Sequence, residues 1–248
     1  MNPSASGPVQ RPSLALLGAE PFRAAIEFAR HHLVKATAVK SGDGHPVVIF
    51  PGLGAGGGSV ATLREHCRSL GYDAFDWGQG FNIGPQGDLD AWLETLKCQV
   101  TRLLSSHEQP ATLIGWSLGG LYARELGKLM APRLRQVITI GTPFNAEADH
   151  TNAGWLYRLL SGSSAVLDPE LSQRLRTPPP LRTTSIYSRT DGVVAWQTCR
   201  HEKRSKLVHD IEVDGCHIGM GRNREVLDAV TDRLGQAPGP WRRYVSAH

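Results

Sequence analysis

Three residues of this 248-residue chain could together carry out nucleophilic acyl transfer: Ser117, Asp191 and His217. That chemistry needs a hydroxyl nucleophile, an imidazole that takes the hydroxyl proton and later returns it, and a carboxylate that fixes the imidazole tautomer. Each of the three follows an apolar or β-branched run that predicts a strand, and the carboxyl ends of parallel strands meet at one edge of a sheet. The sequence therefore predicts that the three side chains lie together at that edge.

The turn around Ser117 gives the strongest local signal. Residues 112–114 predict a short buried strand, and the apolar residues after the serine recur at the three- and four-residue spacing of a helix. These helical apolar residues are Leu118, Leu121, Tyr122, Leu126, Leu129 and Met130. Gly115 and Gly119 leave room for a strained serine backbone between strand and helix, an arrangement known as a nucleophile elbow. The simpler alternative is a glycine-rich turn whose serine caps the helix.

Asp191 and His217 each have an ordinary alternative role as well. An aspartate before a glycine, here Gly192, commonly forms a turn, and a single histidine is commonly a structural residue. The chain order serine, aspartate, histidine and the matching positions after predicted strands favour a triad over these alternatives. Asp214 lies in the same turn as His217, so Asp191 is the better carboxylate to approach the imidazole from the side.

A second glycine-rich loop, residues 51–58, follows the strand predicted over residues 46–50. Such a loop can point main-chain N–H groups into a site. The alternative is a phosphate or dinucleotide loop, but the glycines depart from the G-x-G-x-x-G register and no Gly-Lys-Ser or Gly-Lys-Thr follows. Asp73 and Asp76 are also not placed as a ribose ligand would be. Nucleotide binding is therefore the weaker interpretation.

Helices and strands alternate along the chain, which predicts one α/β domain with a mostly parallel, doubly wound sheet. Helices are predicted over residues 20–36, 59–70, 89–104, 118–130 and 223–234. Strands are predicted over residues 46–50, 72–77, 112–114, 135–140, 183–187 and 206–213. The first helix is expected to begin at Glu20 because Pro21 suits a first turn. One face of that helix carries Phe22, Ile26, Ala29 and Leu33.

The predicted organisation is a flexible N-terminal tail, a domain and a C-terminal tail, over residues 1–20, 21–235 and 236–248. Between about residues 145 and 180 the alternation lapses, and we interpret this segment as a small inserted helical cap. Its apolar side chains, which would line the cap or belong to the core, are Trp155, Leu156, Leu159 and Leu160.

Composition argues against several classes of protein. The 27 basic and 23 acidic residues give a net charge of +4 without a long basic run, so nucleic-acid binding is not indicated. No run approaches the ~20 apolar residues of a membrane span, and the apolar cluster at residues 14–17 is too short for a signal peptide. Four cysteines without C-x-x-C spacing do not predict a zinc or redox site, and a cytoplasmic protein fits best. Cys199 and Cys216 flank a predicted strand and either pair or, more simply, remain buried thiols.

Several stretches of the chain resemble the alpha/beta hydrolase family, and within it the serine esterases and lipases. The stretches are Phe-Pro-Gly-Leu-Gly at 50–54, Gly-Trp-Ser-Leu-Gly-Gly at 115–120, Thr-Asp-Gly-Val-Val at 190–194 and Gly-Cys-His-Ile-Gly at 215–219. The resemblance spans about residues 46–235. The loop at residues 77–85 also resembles one found in poorly characterised bacterial members of the family.

The resemblance implies a covalent acyl-enzyme mechanism. Ser117 would attack, His217 would act as base and then as acid, and Asp191 would orient the imidazole. It also implies an oxyanion hole formed by the main-chain N–H groups of Leu53 and Leu118.

The expected function is hydrolysis of small-molecule acyl esters, with no metal, no organic cofactor, no nucleic-acid partner and no integral membrane association. Acyltransferase and thioesterase activities use the same machinery, and peptidase or carbon–carbon hydrolase activity is possible on the same scaffold. A non-catalytic ligand receptor is the alternative from another class, and a missing triad member would favour it. The sequence leaves the acyl length, the stereochemical preference and the oligomeric state open.

Overall fold

The computed structural model describes residues 11–33, 42–145, 169–202, 205–237 and 241–245. Six strands lie within these ranges: β1 Pro46–Phe50, β2 Asp73–Asp76, β3 Ala111–Trp116, β4 Leu134–Ile140, β5 Arg182–Ser188 and β6 Val208–Val213. They form one sheet in the order β2-β1-β3-β4-β5-β6, and every neighbouring pair is parallel. The strand order and direction confirm the predicted parallel sheet.

Helices connect the strands on both faces of the sheet. In the described ranges the α-helices are α1 Leu14–Leu33, α2 Ala61–Ser69, α3 Leu89–Leu103, α4 Leu118–Leu129, α5 Pro169–Arg176 and α6 Arg224–Leu234. Short 3-10 helices cover Ala131–Arg133, Trp196–Cys199 and Met220–Arg222. The alternation of strand and helix confirms the predicted doubly wound α/β class.

The hydrophobic core is divided by the sheet into two layers. On β1, Val48 and Phe50 pack in the cluster with α3 and α4, whereas Val47 and Ile49 pack in the cluster with α2 and α6. All residues of β1 are buried, as expected for a central strand covered by helices on both faces. The two apolar layers hold the strands in register.

That register brings the strand ends together. Phe50 at the end of β1 pairs with Gly115 near the end of β3, and Ile140 at the end of β4 pairs with Ile186 of β5. The last residue of β5 pairs with the last residue of β6, Val213. The loops that follow these strands therefore emerge at one edge of the sheet.

The first helix differs from the prediction in its start and in its orientation. It begins at Leu14 instead of Glu20, because the Ser13 hydroxyl accepts a hydrogen bond from the main-chain N–H of Leu16 at 3.2 Å, and Pro21 lies within the helix. The apolar face is turned outward, with Phe22 71% exposed. Polar side chains face the domain instead, because they find hydrogen-bond partners in distant loops.

Smaller differences concern α4 and the predicted cap. Leu129, expected in the apolar stripe of α4, is 43% exposed because it lies at the end of the helix. Helix α5 forms part of the predicted cap segment, and its Leu175 is buried in the core cluster beside α4. The four apolar residues named for the cap, Trp155, Leu156, Leu159 and Leu160, lie outside the described residues.

All four cysteines are free thiols: Cys67, Cys98, Cys199 and Cys216. Cys199 and Cys216 are both buried, so the simpler of the two alternatives for this pair is confirmed. In the described ranges, no helix combines the length and the apolar character needed to cross a membrane.

Candidate active site

Ser117 occupies a strained turn between β3 and α4. Its φ of 53° and ψ of −120° make it the single non-glycine residue with positive φ in the described part of the chain. A Cβ added to Gly115 would lie 2.3 Å from the carbonyl oxygen of Gly119, and one added to Gly119 would lie 2.4 Å from that of Phe50. Only glycines permit this close approach of strand and helix, so the turn has the tight, strained geometry that the sequence predicts.

The imidazole of His217 lies between the other two predicted side chains. Its Nδ1 is 2.7 Å from Oδ2 of Asp191, and its Nε2 is 3.2 Å from Oγ of Ser117. A carboxylate only accepts hydrogen bonds, so the proton is assigned to Nδ1, and Nε2 is free to accept from the serine hydroxyl. All three residues are buried, with exposed fractions of 3% to 6%. The structure thus brings together the three residues that the sequence singled out.

Asp191 is held by hydrogen bonds to both of its carboxylate oxygens. While Oδ2 meets the imidazole, Oδ1 accepts from the main-chain N–H groups of Val193 at 2.8 Å and Val194 at 2.7 Å. Asp214, the competing carboxylate, has a side chain that is 76% exposed and accepts from the Thr190 hydroxyl at 2.6 Å. The carboxylate that contacts the imidazole is therefore Asp191.

Opposing effects act on the pKa of His217. Burial of the ring lowers the pKa, but the charge of Asp191, its hydrogen bond and the charge of Glu20 outweigh burial and raise it above the ordinary 6.5. The arrangement therefore favours the imidazolium that forms when a serine proton is taken up. The sequence does not single out Glu20 as a site residue, because beside Pro21 it indicates only a helix start.

The glycine-rich loop after β1 lies against the serine. A Cβ added to Gly52 would be 3.3 Å from Cβ of Ser117. Leu53 follows that glycine directly, and Leu118 is the first residue of α4, where a main-chain N–H has no partner four residues earlier in the helix. The positive end of the α4 dipole also lies here, so a developing negative charge beside Ser117 would be favoured.

Asn82, which the sequence analysis did not single out, anchors that loop. It is fully buried, and its side-chain Nδ2 donates to the carbonyl of Pro51 at 2.8 Å. Its main-chain carbonyl accepts from Gly54 at 2.8 Å, and its N–H donates to the carbonyl of Ala55 at 2.8 Å. One feature of the sequence could have pointed to Asn82: it lies within the loop at residues 77–85, which resembles a loop of the family.

The loop after β4 closes another side of the imidazole. Gly141 has a φ of 54°, and a Cβ added there would lie 3.2 Å from Nδ1 of His217. This close approach requires a glycine. The described chain continues from here to Asn145, whose main-chain N–H donates to the carbonyl of Thr198 at 2.8 Å.

Among the described residues, no group of three or more His, Cys, Asp or Glu side chains is placed to hold a metal ion. The arrangement of Ser117, His217 and Asp191 is suited to proton transfer between a hydroxyl and an imidazole.

A sequence model described as the alpha/beta hydrolase family matches residues 47–247 of the chain. Among curated proteins, none matches the chain significantly in sequence.

Several solved structures share the fold. Aspergillus fumigatus lipase B is 16% identical with a TM-score of 0.61, and the match covers 84% of this chain but 56% of the lipase. Paleococcus ferrophilus monoacylglycerol lipase is 16% identical with a TM-score of 0.56, over 77% of this chain and 93% of that one. A thioesterase domain from the curacin biosynthetic pathway is 12% identical with a TM-score of 0.54, over 77% and 91% of the two chains. This chain therefore spans little more than half of lipase B.

Proposed function

Because the chain belongs to the alpha/beta hydrolase family, we propose that it cleaves carboxylic esters through a covalent acyl-enzyme. The observation that carries the proposal is the position of His217, whose ring nitrogens contact Ser117 at 3.2 Å and Asp191 at 2.7 Å. One imidazole can therefore take the serine proton while the buried carboxylate balances the resulting charge.

In the first step, Oγ of Ser117 attacks the acyl carbonyl carbon while Nε2 of His217 takes up the hydroxyl proton. The carbonyl oxygen becomes an oxyanion, which would accept hydrogen bonds from the main-chain N–H groups of Leu53 and Leu118. In comparable sites each such donor contributes about 3 to 4 kcal/mol. Asp191 keeps the proton on Nδ1, so Nε2 remains the acceptor.

In the second step, the tetrahedral intermediate collapses and the bond to the alcohol breaks. His217 gives its proton to the departing alkoxide, which leaves Ser117 acylated. Water then attacks the acyl carbonyl while the same imidazole takes a water proton, and the carboxylic acid is released as the serine hydroxyl is restored. The bonds that form and break in this cycle involve only Ser117, His217, the substrate and water.

A panel of chromogenic esters from acetyl to palmitoyl tests the proposal together with a serine-directed phosphonate. Ser117→Ala should lower ester hydrolysis by several orders of magnitude, because the nucleophile of a cooperating triad is lost. The phosphonate should increase the intact mass of the wild-type protein and leave the variant unchanged. Ser106→Ala, at an exposed serine, is the matched control and should keep both activity and label. If Ser117→Ala retains half of the activity or more, the mechanism is wrong.

The triad acts on the acyl carbonyl in every case. It therefore does not specify whether the substrate is an oxygen ester or a thioester, or whether water or an alcohol accepts the acyl group. The likeness to a solved structure named as a thioesterase domain supports including thioesters beside the oxygen esters. Added alcohol would separate hydrolysis from acyl transfer, because a transferase forms a new ester as free acid formation falls. A receptor without catalytic activity would turn over none of these substrates and would not be labelled.

A further inference from the structure

The inward face of α1 carries a buried carboxylate. Glu20 is 1% exposed, and its Oε1 accepts hydrogen bonds from the main-chain N–H groups of Gly192 at 2.7 Å and His217 at 2.9 Å. Its Oε2 accepts from the N–H of Ile218 at 3.0 Å. Hydrogen bonds to an ionised acceptor are roughly twice as strong as those between neutral groups. Both oxygens of this side chain are therefore committed to the main chain around the active site.

The three donors belong to two different loops. Gly192 follows Asp191 in the loop after β5, whereas His217 and Ile218 are in the loop after β6. One side chain of α1 thus joins the loop that carries the aspartate to the loop that carries the histidine. The helix backbone also rests on the first loop, since a Cβ added to Gly192 would lie 2.5 Å from the carbonyl oxygen of Leu16.

Titratable and charged groups face the imidazole of His217 from three elements. Ser117 approaches from the turn before α4, Asp191 from the loop after β5 and Glu20 from α1. Burial lowers the pKa of the imidazole, and the two carboxylates together raise it above its ordinary value. Glu20 therefore acts on the imidazole by its charge as well as by its hydrogen bonds.

The other charged side chains on this face of α1 contact neighbouring residues. Glu27 accepts from the main-chain N–H of Cys216 at 2.9 Å, and Arg23 donates to the carbonyl and the hydroxyl of Thr190. Burial raises the pKa of the Cys216 thiol to about 12, so this group is neutral near pH 7. Glu27 thus resembles Glu20 in accepting a hydrogen bond from the loop after β6, but it binds Cys216 and not His217, and it does not join that loop to Gly192 in the loop after β5.

We propose that Glu20 is a positioning residue for His217. By binding the N–H groups of both loops, it keeps Nδ1 of the imidazole on Asp191 and Nε2 facing Ser117. Its negative charge adds to that of Asp191 in stabilising the imidazolium formed at each proton transfer. The inference rests on the proposed function, because it requires that His217 carries the serine proton.

The test compares Glu20→Gln with the matched control Glu27→Gln. Each change removes one negative charge from the same face of α1 and retains one acceptor oxygen. The readouts are kcat, KM, the pH dependence of kcat/KM, the thermal midpoint and an NMR titration of the His217 ring. The NMR titration needs no substrate, so it reports on the imidazole whether or not the right ester has been found.

Glu20→Gln should lower kcat roughly ten- to a hundredfold with little change in KM, as expected when a catalytic group is misplaced slightly. The acidic limb of kcat/KM and the NMR titration should both move to lower pH, because one of two charges that favour the imidazolium is gone. Glu27→Gln should leave kcat and both titrations as in the wild type, even if it lowers the thermal midpoint similarly. Equal effects of the two variants on kcat, with unshifted titrations, would reduce Glu20 to a helix anchor and overturn the proposal.

Glu20→Asp keeps the negative charge but moves the carboxylate, so it separates the effect of position from that of charge. It also replaces Glu20→Gln in the test if that variant does not fold. The shorter carboxylate should lower kcat while the acidic limb stays near that of the wild type, and full activity in this variant would also overturn the proposal. A failure of the proposed function would look different. The wild type would then hydrolyse no ester and would not be labelled at Ser117, whereas the NMR titrations of the wild type and Glu20→Gln would still differ.

Discussion

At the scale of single residues, the proposed chemistry depends on one imidazole that contacts both partners. His217 has Ser117 on one ring nitrogen and Asp191 on the other, and the ring is almost fully buried. Burial alone would discourage the imidazolium, so the nearby carboxylates are what make this histidine a suitable base. The protonation of His217 should therefore control the rate.

The pH dependence follows from the direction of that pKa. Below the pKa of His217 the imidazole is protonated and cannot accept the serine proton, so kcat/KM should fall as the pH decreases through it. Because the pKa is raised, half of the maximal value should be reached above pH 6.5. Initial rates with one soluble ester between about pH 5 and pH 9 measure this limb. A profile that stays flat across the range would contradict the role of the imidazole.

The two aspartates near the histidine should differ sharply in importance. Asp191→Asn should lower kcat by about ten-thousandfold, the size of the effect in serine proteases, because the amide no longer holds the required tautomer. Asp214→Asn is the control, and it should stay within a few-fold of wild type because its side chain is exposed and bound to Thr190. Measuring kcat for both purified variants tests which aspartate orients His217. The assignment is mistaken if the Asp214 variant is the damaged one.

At the scale of elements, glycines and one buried amide hold the start of α4, the end of β1 and the loop after β1 in contact. Gly119 allows the start of α4 to approach the end of β1, and Gly52 allows the following loop to lie on Ser117. The loop itself has no regular structure, so its shape depends on hydrogen bonds to its main chain. Asn82 supplies the only side-chain hydrogen bond to Pro51 within the described ranges.

Removing that side chain should weaken the proposed oxyanion hole. Asn82→Ala deletes the bonds to the Pro51 carbonyl and the Gly84 N–H, so the loop that carries Leu53 would lose its fixed position. We expect a loss in kcat of up to about a hundredfold, with KM changed much less, because the oxyanion forms only during the reaction. Steady-state kinetics with the preferred ester of the panel measure kcat and KM of this variant.

The control for Asn82→Ala is Gln86→Ala. This change removes an exposed amide from the connection between β2 and α3, in which Asn82 also lies. It should retain wild-type kinetics and a wild-type thermal midpoint. An Asn82→Ala protein that is folded and as fast as the control would show that the loop holds its shape without the buried amide.

At the scale of the whole molecule, the chain surrounds the active site with segments that are distant in sequence. Helix α1 contacts the loops after β5 and β6, and the loop after β4 approaches the imidazole through Gly141. Helix α5, within the predicted cap segment, is attached to the domain by an ion pair of Arg174 with Glu125 of α4. The described residues on either side of positions 146–168, Asn145 and α5, therefore both contact the domain.

In the sequence, the predicted cap directly follows the loop of Gly141, which lies close to His217. This position leads to a prediction about acyl selectivity. We propose that the segment between about residues 145 and 180 lines the acyl site, so Trp155→Ala should change the ratio of butyrate to octanoate ester hydrolysis. Burial of one methylene contributes about 0.8 kcal/mol, and a change in one pocket wall is therefore worth a few-fold to about a hundredfold in selectivity. Phosphonate labelling of Ser117 should persist in the variant.

Phe22→Ala is the control for this experiment, since it removes an exposed aromatic ring from α1. Its ester ratio should equal that of the wild type. A Trp155→Ala protein with an unchanged ratio and a lower thermal midpoint would assign Trp155 to the hydrophobic core and end the cap hypothesis, without affecting the proposed triad.

The sequence by itself determined the fold class and the set of loops that meet at the sheet edge. Apolar periodicity identifies helices and strands locally, and the need for small residues at a sharp turn marks Ser117 in the same local way. Alternation of helix and strand then implies a parallel sheet, whose strand ends share one edge. For this reason Ser117, Asp191 and His217 could be named before their distances were known, while their catalytic roles stay predictions.

Only the tertiary structure decided how α1 lies and what Glu20 and Asn82 do. Periodicity shows which residues of a helix share a face, but it does not show which face is turned inward. The polar face of α1 is inward because Glu20 accepts hydrogen bonds from N–H groups that are 172, 197 and 198 residues further along the chain. Asn82 likewise donates to a carbonyl 31 residues earlier. Main-chain groups carry no side-chain signature, so partners of this kind are visible only once the chain has folded.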